Sequence, residues 1–221
     1  MNRRTALCFL FALCTAIGSA QEETTAIVTA ARTQIGVTVL YDPSYVVLTY
    51  PGGDIPADRG VCTDVVIRAL RTALMLDLQK EVHTDMKANF TAYPKNWGLS
   101  KPDKNIDHRR VPNLQTYLTR HARFLGISNE AGDYLPGDLV TSMLPGNRPH
   151  IMIVSDRKNK LGVPLVIHNI GDGTKEDASL FAFPITGHYR VKIRKPTTPT
   201  ASAPRSNHGP SRGAASTATT G

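Results

Sequence analysis

The apolar residues of this chain change their period once, and that change bounds the folds open to it. Ile27, Ala30, Ala31 and Ile35 follow a helical spacing that Gly36 can stop, and from Val61 the residues Val65, Val66, Ala69, Leu70, Ala73 and Leu74 repeat at three and four. Pro112 opens a shorter stripe of Leu114, Tyr117, Leu118 and His121. After it the period becomes two: Leu139 to Leu144, His150 to Ser155, Val163 to Ile170 and Tyr189 to Ile193 read as strands, divided by Pro145-Gly146-Asn147 and by the polar turn Arg157 to Gly162. Helices first and strands afterwards predict an α+β domain, its N-terminal helices packed on an antiparallel β-sheet. Ser44 to Tyr50 is expected as an extended segment feeding a loop, and residues 83–110 as a polar insertion with some helix.

The ends of the chain do not belong to that domain. Asn2-Arg3-Arg4 is a basic start, Thr5 to Ile17 an apolar run, and Gly18-Ser19-Ala20 a small-residue cleavage site, the pattern of a secretory signal peptide over residues 1–20. The run is too short for a comfortable membrane span, and no later stretch approaches that length. Residues 195–221 hold no aromatic, Val, Ile or Leu residue and are mostly Thr, Ala, Pro, Ser and Gly, so they predict a disordered basic tail. The folded domain is then residues 21–194, in a monomer that is periplasmic or secreted from a bacterium. The leader carries two arginines and no acid, so its loss lowers the formal charge from +8 to +6. That excess is modest and contains no five-residue basic run, and no motif points to nucleic acid.

Of three cysteines, Cys8 and Cys14 leave with the leader, and Cys62 remains. A lone thiol in an exported chain cannot form an internal disulfide; it is an intermolecular link, an inert apolar side chain or a nucleophile. Cys62 stands at the start of the second helical stripe, where backbone N–H groups lack partners and favour a thiolate. If His150 to Ser155 and Val163 to Ile170 form a hairpin about residue 159, His150 pairs directly with His168 on one sheet face, with Met152, Val154, Val166 and Ile170. That face is expected to pack on the cysteine helix and bring Cys62 to His150, with His168 orienting it. Asp64 can complement the helix dipole. In the cluster Asp107-His108-Arg109-Arg110, an arginine can bind a substrate carboxylate, and His108 can orient or bind. Substrate-binding roles are therefore expected for Asp64, His108 and Arg109.

These residues resemble the NlpC-type branch of the papain-like cysteine peptidases and amidases, and within it an exported bacterial family labelled a domain of unknown function. The resemblance runs through AARTQIGV, TYPGGDIPADRGVCTDVV, PGDLV, HIMIVSD and VIHNIGDG, with the polar insertion unaligned. It implies a papain-like fold, Cys62 as nucleophile, His150 as base, His168 as the polar third residue and Tyr50 as an oxyanion donor. The usual Asp-Cys-Ser-Gly is replaced by Val61-Cys62-Thr63-Asp64. The implied activity is hydrolysis of an amide, in an envelope most naturally a stem-peptide bond of peptidoglycan, by an endopeptidase or amidase without cofactor or metal. Two other classes use the same residues: a non-catalytic envelope-binding module with an inert Cys62, and a zinc site of Cys62, His150 and His168.

Overall fold

A computed structural model describes Glu22 and residues 24–191; the expected leader and tail lie outside the described residues. Helix α1 covers residues 24–32 and buries Ile27, Val28, Ala30 and Ala31. Two short strands, β1 (Leu40–Tyr41) and β2 (Arg59–Gly60), pair in parallel. They precede α2 (Cys62–Leu74), whose stripe of Val65, Val66, Ala69 and Leu70 is buried as its period requires. Met75 ends α2 in the left-handed region.

The expected insertion is more regular than its polarity suggests. It contributes most of α3 (Leu78–Asn89), capped by the Asp77 carboxylate, which accepts from the Gln79 N–H, and two 3-10 turns, Phe90–Ala92 and Asp107–Arg109. Leu78, Val82 and Met86 bury one narrow apolar edge, so the helix forms although few of its residues are apolar. Helix α4 (Val111–His121) begins with Pro112 in its first turn, as the sequence predicts. The segment 44–50 is irregular, and β1 lies earlier than expected.

Six strands form one antiparallel sheet: β3 (Arg123–Phe124), β4 (Leu139–Leu144), β5 (Arg148–Lys158), β6 (Pro164–Asn169), β7 (Thr174–Asp177) and β8 (Ile185–Arg190), in the order β3-β8-β4-β5-β6-β7. The mixed α and antiparallel β architecture agrees with the expected class.

Two details of the expected packing are corrected. First, Ile153 pairs with Ile167 and Val154 with Val166, so the β5–β6 hairpin folds about residue 160; continuing this register sets His168 opposite Met152. A register shift between Val154 and Lys158 makes the hairpin asymmetric, which a turn placed by its polar residues does not reveal. Second, α2 packs on the face that carries Leu139, Ile151, Ile153 and Ile167, whereas Met152, Val154 and Val166 form a second core with Tyr134, Val140 and Leu180 on the other face. The sheet is buried on both sides, so both sets of alternate residues are apolar and alternation cannot say which face receives α2.

Candidate active site

Cys62 is the first residue of α2 and is only 4% exposed. Its sulfur faces the backbone N–H groups of Ile151, Thr63 and Cys62 itself, which places the helix start against the His150–Ile151 step of β5. Burial pushes the thiol up to about 12, and the neighbouring Asp64 charge adds to the rise against the three N–H groups. The dipole argument for a resting thiolate is therefore overturned: desolvation outweighs it, and Cys62 rests as a thiol.

His150, the residue before Ile151 on β5, starts a chain of buried groups on the sheet face opposite α2. His150 Nε2 lies 2.8 Å from His168 Nδ1, and His168 Nε2 lies 3.2 Å from Asp177 Oδ1. Both histidines are buried, so burial pushes His150 down to about 3, with the His168 charge acting the same way, and lowers His168 despite Asp177. Burial alone would raise Asp177, but hydrogen bonding from Ser179 and the neighbouring His168 hold it below the usual carboxylate range. An ionised Asp177 fixes the protons of the chain. It accepts from His168 Nε2–H, His168 Nδ1 then accepts from His150 Nε2–H, and His150 keeps an unprotonated Nδ1 that no protein group hydrogen-bonds among the described residues.

The nucleophile loop is tied to the same strand pair. Asn169, next to His168, donates from Nδ2 to the Gly60 carbonyl at 2.9 Å, two residues before Cys62. A side chain at Gly60 would press on Asp64, since a Cβ there would stand 3.0 Å from the Asp64 Cβ. Asp64 instead folds back and accepts the Val61 N–H at 2.7 Å, capping α2.

Cys62 opens onto a cleft of about 560 Å³ lined also by Tyr41, Tyr45, Trp97, Arg109, Arg110 and Pro149. Three expected site residues have other places. Tyr50 is not in this lining; its ring packs edge-on against His83, 5.2 Å between centroids, because the 44–50 segment runs toward α3. Tyr41, whose hydroxyl is pushed up by burial and by the nearby Cys62, is the tyrosine at the thiol. His108 is buried beneath the surface rather than facing the cleft, and burial, with Arg109 beside it, pushes it down to about 4. Asp64 and Arg109 satisfy each other: Arg109 Nε meets Asp64 Oδ1 at 2.9 Å and Nη2 meets Oδ2 at 3.0 Å, with side chains 3% and 2% exposed. Arg109 Nη1 and Nη2 also donate to the Ser44 and Asp42 carbonyls, so four of its five N–H groups are held and the pair is a brace for the Cys62 loop.

Asp177, Asn169 and Tyr41 are the participants that sequence reasoning missed. A hairpin about Gly171-Asp172-Gly173 pairs Asn169 with Thr174 and so sets Asp177 opposite Val166, on the histidine face; one further strand of register arithmetic would have found it.

Residues 28–191 match the family described as Domain of unknown function (DUF1287). The chain belongs to the DUF1287 family. The matched region of this DUF1287 protein begins within α1, ends just after β8 and contains every residue of the site. A curated relative, "Uncharacterized protein YijF" of Escherichia coli (strain K12), is 54% identical over 169 residues, covering 76% of this chain and 82% of that protein. No solved structure matches the chain. Among the described residues no helix is long and apolar enough to cross a membrane.

Proposed function

We propose that this DUF1287 protein is an exported cysteine hydrolase that cleaves an amide bond in peptidoglycan stem peptides. The observation that carries the reading is the hydrogen-bonded run His150–His168–Asp177, whose first member precedes Ile151, the strand residue whose N–H meets the sulfur of Cys62 at a helix start; Cys62 opens onto a cleft large enough for a short peptide. The resemblance to the NlpC-type branch of papain-like enzymes, which assigns nucleophile, base and third residue to Cys62, His150 and His168, supports the reading. The signal-peptide pattern of residues 1–20 supports action in the periplasm or outside the cell.

The pKa directions favour proton transfer during attack over a preformed ion pair. Cys62 Sγ attacks the amide carbonyl while its proton passes to His150 Nδ1, and the oxyanion takes the N–H groups that face the resting sulfur, with Tyr41 in the role expected of Tyr50. The imidazolium, stabilised through His168 by Asp177, protonates the leaving amine as the C–N bond breaks. Water then attacks the thioester, its proton going to His150, and the acid leaves as the thiol is restored.

The zinc alternative is opposed by geometry. His150 Nε2 and His168 Nδ1 share one hydrogen bond and cannot both direct a lone pair at a metal, and no three His, Cys, Asp or Glu side chains among the described residues converge as a metal site. Digestion of purified peptidoglycan with the protein and with Cys62→Ala, followed by mass analysis, tests the proposal and identifies the bond. New fragments from the first and none from the second are expected; none from either would leave a binding module.

A further inference from the structure

The cleft that holds Cys62 carries a second feature that the hydrolytic chemistry does not use. Arg110 lines it as the N-terminal cap residue just before α4, its guanidinium carbon 4.1 Å from the centre of the Trp97 ring and its Nη1 3.0 Å from Asp107 Oδ1. Asp107 is buried behind it, 2% exposed against 18% for Arg110. One corner of the guanidinium is thus pinned by a carboxylate and one face by an aromatic ring, while Nε and Nη2 have no protein partner among the described residues. That pair of N–H groups is the edge that meets a carboxylate with two parallel hydrogen bonds. Its orientation is fixed before any ligand arrives, so little rotamer freedom is lost on binding.

The rest of the lining supplies no acid to oppose it. Arg109 is neutralised by Asp64, and neither Asp nor Glu lines the cleft. Arg148, between the lining residues Asn147 and Pro149, acts on Tyr41 against the rise that burial causes there, so a second cation stands near the cleft. Tyr41, Tyr45 and Trp97 supply flat apolar walls. An amide substrate seated on Cys62 therefore meets an uncommitted guanidinium edge and no opposing acid.

Resting on the hydrolase reading, we propose that Arg110 is a specificity-determining residue that selects peptides bearing a free carboxylate near the scissile amide. The chemical class is an acidic peptide whose carboxylate docks on Arg110 Nε and Nη2 while its amide lies at Cys62.

The test uses calorimetric binding to the Cys62→Ala protein, so that nothing is turned over. The probes are a stem peptide prepared from peptidoglycan with its carboxylates free and the same peptide with its carboxylates converted to primary amides. The free acid should bind about tenfold or more tightly than the amide, and Arg110→Gln should abolish that difference. Arg110→Lys keeps a positive charge against Asp107 and so protects the fold, yet it lacks the two-pronged edge; it should retain only a small part of the preference. Equal binding of the two peptides, binding of neither, or an undiminished preference in Arg110→Lys would overturn the inference. Discrimination by Cys62→Ala with no cleavage by the unaltered protein would sink the hydrolase reading alone. Cleavage of both peptides at equal kcat/KM would sink the Arg110 role alone.

Discussion

His150 and His168 share a 2.8 Å hydrogen bond although the register of their hairpin does not place them opposite each other. They are diagonal neighbours on one sheet face, and the rings, 5.0 Å between centroids at 66°, lean along the strands to meet. The diagonal lets His168 reach Asp177 on the far side. His150→Ala is expected to lower kcat by about 10²- to 10⁴-fold, the range of a lost general base. His168→Ala should lose less, and His168→Asn or His168→Gln less still. Asp177→Asn removes the charge that sets both tautomers and should lower kcat on the order of 10²-fold with KM nearly unchanged. Steady-state kinetics on a soluble stem peptide gives the ranking; wild-type turnover by His150→Ala contradicts the mechanism.

The thiol itself gives a second expectation. Because burial raises Cys62 to about 12, iodoacetamide should label the folded protein more slowly than a free peptide thiol throughout pH 6 to 9, and unfolding should restore the ordinary rate. His150→Ala should hardly change the labelling. Rapid labelling at pH 6 that depends on His150 would show a resting thiolate and imidazolium instead.

Stability should fall on the acid side of neutrality. Burial holds His150 near 3 and His108 near 4, against about 6.5 in an unfolded chain. Below that value the unfolded chain takes up protons that the folded one refuses, so the contribution is complete above pH 6.5 and is lost as pH drops toward the folded values. Urea midpoints should decrease from pH 7 to pH 4, and His108→Phe should flatten part of the slope. A midpoint constant over that interval would mean that both rings titrate normally.

The Asp64–Arg109 brace should behave as a buried ion pair. Arg109→Met leaves Asp64 uncompensated and should cost about 3–5 kcal/mol in urea unfolding, whereas Asp64→Leu combined with Arg109→Met should recover much of the loss. A small effect of the single substitution would place the pair in water.

Much of this arrangement was readable in advance because it depends on local period. The α2 stripe, the span of β4 and the common face of the two histidines follow from spacing alone, and parity survived the one-position error in the hairpin centre because His150 and His168 kept their face. What was misread depends on distant contacts. Tyr50 rather than Tyr41 is expected at the thiol because the resemblance implies a tyrosine upstream of the cysteine and the chain between the two has no period to choose between them; its course is set by tethers such as Asn105 Oδ1, which accepts the Leu48 N–H. Arg109 looked available because its partner, Asp64, is remote in sequence. The thiol's protonation was misjudged because dipoles are visible in a sequence and desolvation is not.

The clamp from Asn169 to Gly60 also bears on when the proposed hydrolase could act. Cys62 lies in the helical half and His150, His168 and Asp177 in the strand half, joined at the site by this hydrogen bond and by the sulfur's place at the Ile151 amide. On the proposed mechanism, a nascent or translocating polypeptide would possess all four side chains and no catalyst, since the thiol would acquire its base and its N–H groups only when the sheet closes onto α2. Latency of this kind would need no inhibitor or propeptide: a hydrolase so built would be held inactive by topology until folding is complete.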